Sequence, residues 1–250
     1  MKINIVTVCN ESYSKFLRVW LSSLYDVMDL SNIYKIYIAN TGFNKKTGDF
    51  ISCFPKTEIV ETGIDSSFSK LHDEEWGRSN YCKLPIIKNT LSKDKIPTFF
   101  IDVDCLFNYD FYESLDLSND LFVCDTSDRM AHCNSKYIGS FYGFGVENIQ
   151  KNIAFIDKWY DTILNSTKIV QAWRESPSLT MLVTDQNYTK SYKIQYLKES
   201  KFSASLFSPK NDPFIYHMKS EGAFGYITEE QRLDMPHVSK KIKRYVIDYV

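Results

Sequence analysis

Two aspartates separated by one residue, Asp102 and Asp104, are the side chains in this sequence best placed to do chemistry. They follow the apolar run Phe99-Phe100-Ile101 and precede Leu106-Phe107, so they lie at the end of a predicted buried strand. Paired carboxylates at a strand end can share one divalent cation, and that cation can neutralise a bound diphosphate. The alternative is that they only end the strand, as Asp often does in turns. Because uncompensated charge among apolar neighbours costs several kcal/mol, we favour the functional interpretation.

The surrounding segments predict an α/β fold. Short apolar runs predict strands at Ile3–Val8, Ile33–Ala39, Thr57–Thr62, Thr98–Val103, Leu121–Cys124, Ile194–Leu197 and Phe214–His217. Apolar residues three and four apart predict helices over residues 16–27, 79–91 and 149–163, with Pro85 weakening the second. Ser176 followed by Pro177 predicts a helix start that introduces another helix over residues 179–188. The opening order of strand, helix and strand indicates a parallel sheet, and no composition break marks a boundary, so we expect one domain over residues 1–250. Ligands of such sheets bind outside the carboxyl ends of the strands, where Asp102 and Asp104 are expected.

Composition argues against several other classes of protein. A formal net charge of −1 gives no long-range attraction to nucleic acid, and six cysteines without CxxC spacing indicate neither a zinc site nor a disulfide framework. The N-terminal strand is too short and too β-branched for a signal peptide, and no stretch approaches ~18 uninterrupted apolar residues, so we expect a cytoplasmic protein. The basic segment Ser239–Arg244 allows peripheral contact with an anionic membrane, although a solvated terminal helix is favoured.

Two stretches of the chain resemble a known family. Tyr81-Cys82-Lys83-Leu84 and the run from Thr98 to Phe107, which contains the DxD motif Asp102-Val103-Asp104, resemble the GT-A nucleotide-diphospho-sugar glycosyltransferases. A later Asp185-Gln186 pair and a C-terminal His217 extend the similarity, which is greatest to glycogenin and the bacterial galactosyltransferases. The resemblance implies a single Rossmann-like GT-A domain with a mixed, mostly parallel central sheet and flanking helices. The nucleotide-binding half would span residues 1–107, the acceptor and sugar half 108–236, and a basic tail 237–250.

The resemblance also implies a transferase that moves a hexose from a nucleotide-diphosphate sugar, most often a UDP-sugar, to a hydroxyl of a glycan acceptor. Asp102, Asp104 and His217 would bind Mn²⁺ or Mg²⁺, and the imidazole tilts the preference toward Mn²⁺. Lys83 and Asp185 would act in the reaction. The donor would be contacted by Val8, Asn10, Tyr13, Lys83, Asp102, Val103 and Lys219. The chain departs from the family at residues 140–145, where relatives carry an Asn-containing, Gly-ended turn.

Three alternatives to this function are open at the level of sequence. A haloacid-dehalogenase-type phosphatase also uses a DxD motif at a strand end, with Asp102 as nucleophile, but it places that motif after the first strand. A nucleotidyltransferase would carry a glycine-rich loop after the first strand, whereas the segment Val8–Ser12 has no glycine. A non-catalytic module that only binds a nucleotide sugar would keep the metal site without turnover.

Overall fold

The fold consists of two sheets and the helices that cover them. The computed structural model describes residues 1–67, 74–127, 135–165, 175–205 and 212–218. Its strands are β1 (Ile3–Cys9), β2 (Ile33–Asn40), β3 (Thr57–Glu61), β4 (Thr98–Ile101), β5 (Cys105–Phe107), β6 (Leu121–Asp125), β7 (Tyr137–Phe144), β8 (Ile194–Lys198), β9 (Ala204–Ser205) and β10 (Ile215–His217).

Seven of these strands form the central sheet, in the order β3-β2-β1-β4-β7-β6-β8. All neighbours pair in parallel except β7, which is antiparallel to both β4 and β6. The small second sheet has the order β5-β10-β9, and β10 pairs antiparallel with β5. The predicted α/β fold with a mixed, mostly parallel sheet is therefore confirmed.

The helices are α1 (Ser14–Val27), α2 (Lys45–Ser52), α3 (Glu74–Tyr81), α4 (Lys83–Asp94), α5 (Ile149–Asn165), α6 (Glu175–Thr184), α7 (Gln186–Thr189) and α8 (Glu199–Phe202). Among the residues that the structure describes, none of these helices has both the length and the apolar character to cross a membrane.

The single helix predicted over residues 79–91 is two helices in the structure, so that boundary was wrong. Proline lacks a backbone N–H and is tolerated in the first turn of a helix, where that donor would have no partner. Pro85 accordingly lies in the first turn of α4, and Lys83 is the first residue of that helix. The position of the proline thus places a lysine at a helix N-terminus next to the sheet.

Strand β4 separates two apolar cores because its side chains alternate between the faces of the sheet. Phe99 and Ile101 pack into one core with α1, and Phe100 packs into the other with residues of α4, α5 and α6. The same alternation assigns Asp102 to the face of Phe100. The first carboxylate of the motif therefore points toward the side of the sheet that carries Lys83.

Candidate active site

Main-chain hydrogen bonds hold the two motif aspartates between the two sheets. The amide N–H of Asp102 donates to the carbonyl of Ser140 on β7 at 3.0 Å, and the carbonyl of Asp104 accepts from the N–H of Met218 at 2.8 Å. The Asp102 side chain stays 30% exposed and the Asp104 side chain 10% exposed. Both carboxylates are therefore fixed at their backbone but still reachable from solvent.

His217 is brought to these carboxylates by the pairing of β10 with β5. In that register His217 lies opposite Cys105, the residue directly after Asp104. The imidazole Nε2 is 3.1 Å from Oδ1 of Asp104 and 3.8 Å from Oδ2 of Asp102. His217 therefore lies within 3.8 Å of both carboxylates, and we call Asp102, Asp104 and His217, the three predicted metal ligands, the Asp-His cluster.

The chemistry of the Asp-His cluster fits a divalent cation. Burial raises the pKa of Asp102. The interactions of Asp102 with Lys83 and with His217 oppose that rise, whereas its interaction with the neighbouring Asp104 adds to it. A cation between the carboxylates would relieve this cost, and carboxylate and imidazole ligands together suit Mn²⁺. The Sγ of Cys105 lies within 4.8 Å of the ligand atoms of Asp104 and His217. Burial holds the pKa of that thiol well above its usual range, whereas a bound cation would favour the thiolate, so Cys105 is a further candidate ligand beside Asp104 and His217.

Lys83 lies between two carboxylates in the interior. Its Nζ is 2.7 Å from Oε1 of Glu175 and 3.8 Å from Oδ1 of Asp102, and the side chain is 2% exposed. The ammonium also lies 4.1 Å from the centre of the Phe100 ring. Burial by itself lowers the pKa of Lys83, but the charges of Glu175 and Asp102 outweigh it, so the pKa is raised and the amine is charged. Lys83 is thus a buried ammonium at the edge of the Asp-His cluster.

Glu175, the first residue of α6, is a site residue that sequence reasoning missed. Its carboxylate occupies the space above Gly139 on β7, where a Cβ would lie 2.4 Å from the carboxyl carbon. Burial raises the pKa of Glu175 to about 7, and Lys83 opposes that rise. The only signal in the sequence is the position of Glu175 just before Ser176-Pro177, a typical helix start.

Solved structures of known proteins superpose on this chain, whereas comparisons of its sequence find no match. No protein-family model and no sequence of a curated protein matches the chain. The galactosyltransferase LgtC, in complex with donor and acceptor sugar analogs, superposes with a TM-score of 0.61 at 10% identity over 96% of this chain and 95% of that one. An active-site Gln-to-Glu mutant of LgtC gives 0.59 at 13% identity over 86% of each chain. The glycosyltransferase GlyE of Streptococcus pneumoniae gives 0.58 at 14% identity over 99% of this chain and 64% of that one.

This chain has the GT-A fold. The resemblance inferred from the sequence is thereby confirmed at the level of fold. Within this GT-A sheet, the Asp-His cluster lies where β4 ends and the chain crosses into the small sheet.

Three of the predicted donor contacts lie at the end of β1 and in the segment that follows it. Val8 lies near the end of β1, and Tyr13 is half-buried. The Nδ2 of Asn10 donates to the carbonyl and hydroxyl oxygens of Ser66 at 3.0 and 3.1 Å, and its Oδ1 accepts from the N–H of Tyr13 at 3.2 Å. Asn10 therefore orders the loop, and its contact with a donor stays a prediction.

The remaining predicted site residues lie in other parts of the GT-A fold. Asp185 is exposed and separates α6 from α7, so the single helix predicted over residues 179–188 was wrong at this point. Its carboxylate accepts from the N–H groups of Asn187 and Tyr188 at 3.0 and 3.3 Å, which caps α7. Its catalytic role stays a prediction, and the carboxylates beside Lys83 are those of Glu175 and Asp102. Val103 is buried, and Lys219 and the basic tail lie outside the described residues.

Proposed function

We propose that this protein is a metal-dependent glycosyltransferase that moves a hexose from a UDP-sugar to a hydroxyl of a glycan acceptor. The observation that carries the proposal is the meeting of Asp102, Asp104 and His217 beside the buried Lys83 in a chain of GT-A fold. The structurally similar LgtC was crystallised with donor and acceptor sugar analogs, which supports a site that receives two sugars.

In this proposal the Asp-His cluster holds Mn²⁺ or Mg²⁺, which when bound supplies positive charge to the leaving diphosphate. The chain's own residues do the rest. The Lys83 ammonium is fixed by two carboxylates and an aromatic ring, so its charge adds to the positive electrostatic potential beside the Asp-His cluster without reorganisation. Lys219 would add a second positive charge. Val8, Asn10, Tyr13 and Val103 would lie on the nucleoside side of the donor.

Glu175 takes the sugar-facing role in this proposal. Its carboxylate is 17% exposed, and it is held by Lys83 at one oxygen, Oε1. A carboxylate oxygen in that position can accept a hydrogen bond from a sugar hydroxyl and so orient the hexose. We assign this role to Glu175 ahead of Asp185 because the described contacts of Asp185 cap α7.

The alternatives are less well supported. The DxD motif follows the fourth strand of the chain in a GT-A sheet, whereas the phosphatase hypothesis expects it after the first. A non-catalytic binding module remains the second candidate, because a protein can bind the metal and the nucleotide sugar without turning the sugar over.

A thermal-shift screen of UDP-, GDP- and TDP-sugars with and without Mn²⁺ tests the function directly. A ligand that binds only the native state stabilises it by about 2.7 kcal/mol at one hundred times its Kd. We expect a shift beyond that given by Mn²⁺ alone only when Mn²⁺ and a UDP-sugar are both present. Equal shifts for all nucleotides without metal would contradict the proposal, and a shift without any release of UDP would favour the binding module.

Replacing Glu175 by Gln separates its role from that of Asp185. The amide keeps the shape but loses the charge that pairs with Lys83, so we expect UDP-sugar hydrolysis to fall about 100-fold, equivalent to roughly 2.7 kcal/mol. The matched control is Asp185→Asn, which keeps a capping side chain and should retain hydrolysis within about twofold. The measurement is steady-state release of UDP. A large loss of hydrolysis in Asp185→Asn with little loss in Glu175→Gln would assign the catalytic role to Asp185 instead.

A further inference from the structure

A buried chain of side chains continues from the Asp-His cluster into the main sheet. The Nδ1 of His217 lies 3.3 Å from Oγ of Ser203, and that hydroxyl lies 2.8 Å from Oγ of Ser140. Ser203 is fully buried just after α8, and Ser140 is on β7. Ser140 also accepts the amide of Asp102 through its carbonyl. The second nitrogen of the histidine is therefore tied to the strand that positions the first carboxylate.

The Ser203 hydroxyl can form a hydrogen bond with the imidazole of His217 both with and without a cation on that ring. With a cation on Nε2, the proton of a neutral imidazole lies on Nδ1, which donates to an acceptor. The Ser203 oxygen can accept that bond while its own hydrogen goes to Oγ of Ser140. Without a cation, Nε2 lies 3.1 Å from the Asp104 carboxylate and can donate to it, and Nδ1 then accepts from the Ser203 hydroxyl. A hydroxyl both donates and accepts, so one ring orientation serves both states.

We propose that Ser203 is a positioning residue that orients the His217 imidazole for the cation. This inference rests on the proposed metal site, and it assigns a role to a residue that the family motifs do not include. It also explains why a polar side chain sits at a position with no solvent exposure.

The order Asp104, His217 and Ser203 also matches that of a nucleophilic triad. The burial of Ser203 and its bond to Ser140 argue against that use, because no substrate can approach its Oγ from solvent. The hydroxyl is placed to hold the ring.

The first test is the affinity for Mn²⁺ alone, measured by the electron paramagnetic resonance of the free ion. Ser203→Ala should weaken binding about 10- to 100-fold, the range for loss of a group that supports a metal ligand. Ser140→Ala is the matched control, because it removes the same serine-serine hydrogen bond but leaves Ser203 against His217. It should change the affinity by less than about threefold. His217→Ala shows how far the affinity for Mn²⁺ falls when the ligand itself is removed.

The second test is the tautomer of His217 in the full chain, read by nitrogen-15 NMR with diamagnetic Zn²⁺ bound. The wild-type protein should show a protected Nδ1–H proton, which should be lost to exchange in Ser203→Ala and kept in Ser140→Ala. The wild-type spectrum tests the proposal even if the Ser203 variant fails to fold, since a proton on Nε2 with Zn²⁺ bound would overturn it.

The outcomes separate this inference from the proposed function. If His217→Ala binds Mn²⁺ as well as the wild-type protein does, the metal site and the role of Ser203 are both overturned. If His217→Ala binds weakly but Ser203→Ala matches Ser140→Ala, only the role of Ser203 is overturned.

Discussion

Asp104→Asn is expected to abolish metal-dependent hydrolysis of a UDP-sugar and transfer to an acceptor. The amide has nearly the shape of the carboxylate but no charge, so it is a much weaker ligand for a hard divalent cation. Loss of the cation's stabilisation of the leaving diphosphate would remove several kcal/mol, and about 4 kcal/mol corresponds to roughly a 1000-fold fall in kcat/KM. The hydrogen-bonding contact with Nε2 of His217 can persist through the amide oxygen, so the fold should be retained.

Three measurements make this result interpretable. UDP release should need Mn²⁺ in the wild-type protein and should stop on addition of EDTA. Asp49→Asn is the matched control, because Asp49 is an exposed partner of Lys45 and should leave activity unchanged. Full activity of Asp104→Asn at low Mn²⁺ would show that this carboxylate does not hold a catalytic cation, and the proposed function would then fail.

The sequence predicted the half of the site that depends on local pattern. A buried strand followed by charged residues has a clear signature, and β1, β2 and β4 were located within two residues at their ends. The DxD motif follows such a segment, so its place at a strand end followed from the apolar run before it. His217 came from the resemblance, because nothing local distinguishes it from a histidine packed beside a strand.

Strand β7 was missed because two of its residues are set by the side chains that pack against the strand, not by the strand propensity of the segment itself. It carries Gly139 and Gly143, and glycine within a strand normally weakens the prediction. The structure explains both residues: a Cβ on Gly139 would lie 2.4 Å from the Glu175 carboxyl carbon, and one on Gly143 would lie 2.4 Å from the Phe99 ring. The missing side chains make room for residues distant in sequence, and a single sequence does not reveal that requirement.

Glu175 was missed for the same reason. Its importance comes from a contact with Lys83, far earlier in the chain, and the burial that raises its pKa depends on packing against β7. By contrast, Asp185 has the Asp-Gln dipeptide of the family but a local capping geometry. Long-range packing therefore supplied the contact of Glu175 with Lys83, while the catalytic role of Asp185 stays a prediction.

Lys83→Met is expected to lower the free energy of unfolding by about 3–5 kcal/mol, the usual cost of removing one partner from a buried ion pair. Methionine fills the space of the alkyl chain but leaves Glu175 and Asp102 without their compensating charge. Lys88→Met on the same helix is the matched control. Lys88 pairs with Asp157 at 2.6 Å on the surface, and its loss should cost less than about 1 kcal/mol. Urea denaturation of the metal-free proteins measures both values.

The double variant Lys83→Met with Glu175→Gln separates stability from function. Removing both charges leaves no uncompensated Glu175, so a large part of the lost stability should return. UDP-sugar hydrolysis should fall below that of Glu175→Gln alone, because the charge of Lys83 beside the Asp-His cluster is absent as well. Hydrolysis equal to that of Glu175→Gln, together with recovered stability, would mean that Lys83 only supports the fold. Recovered stability with hydrolysis below that of Glu175→Gln would mean that the buried ammonium supplies charge that the reaction requires.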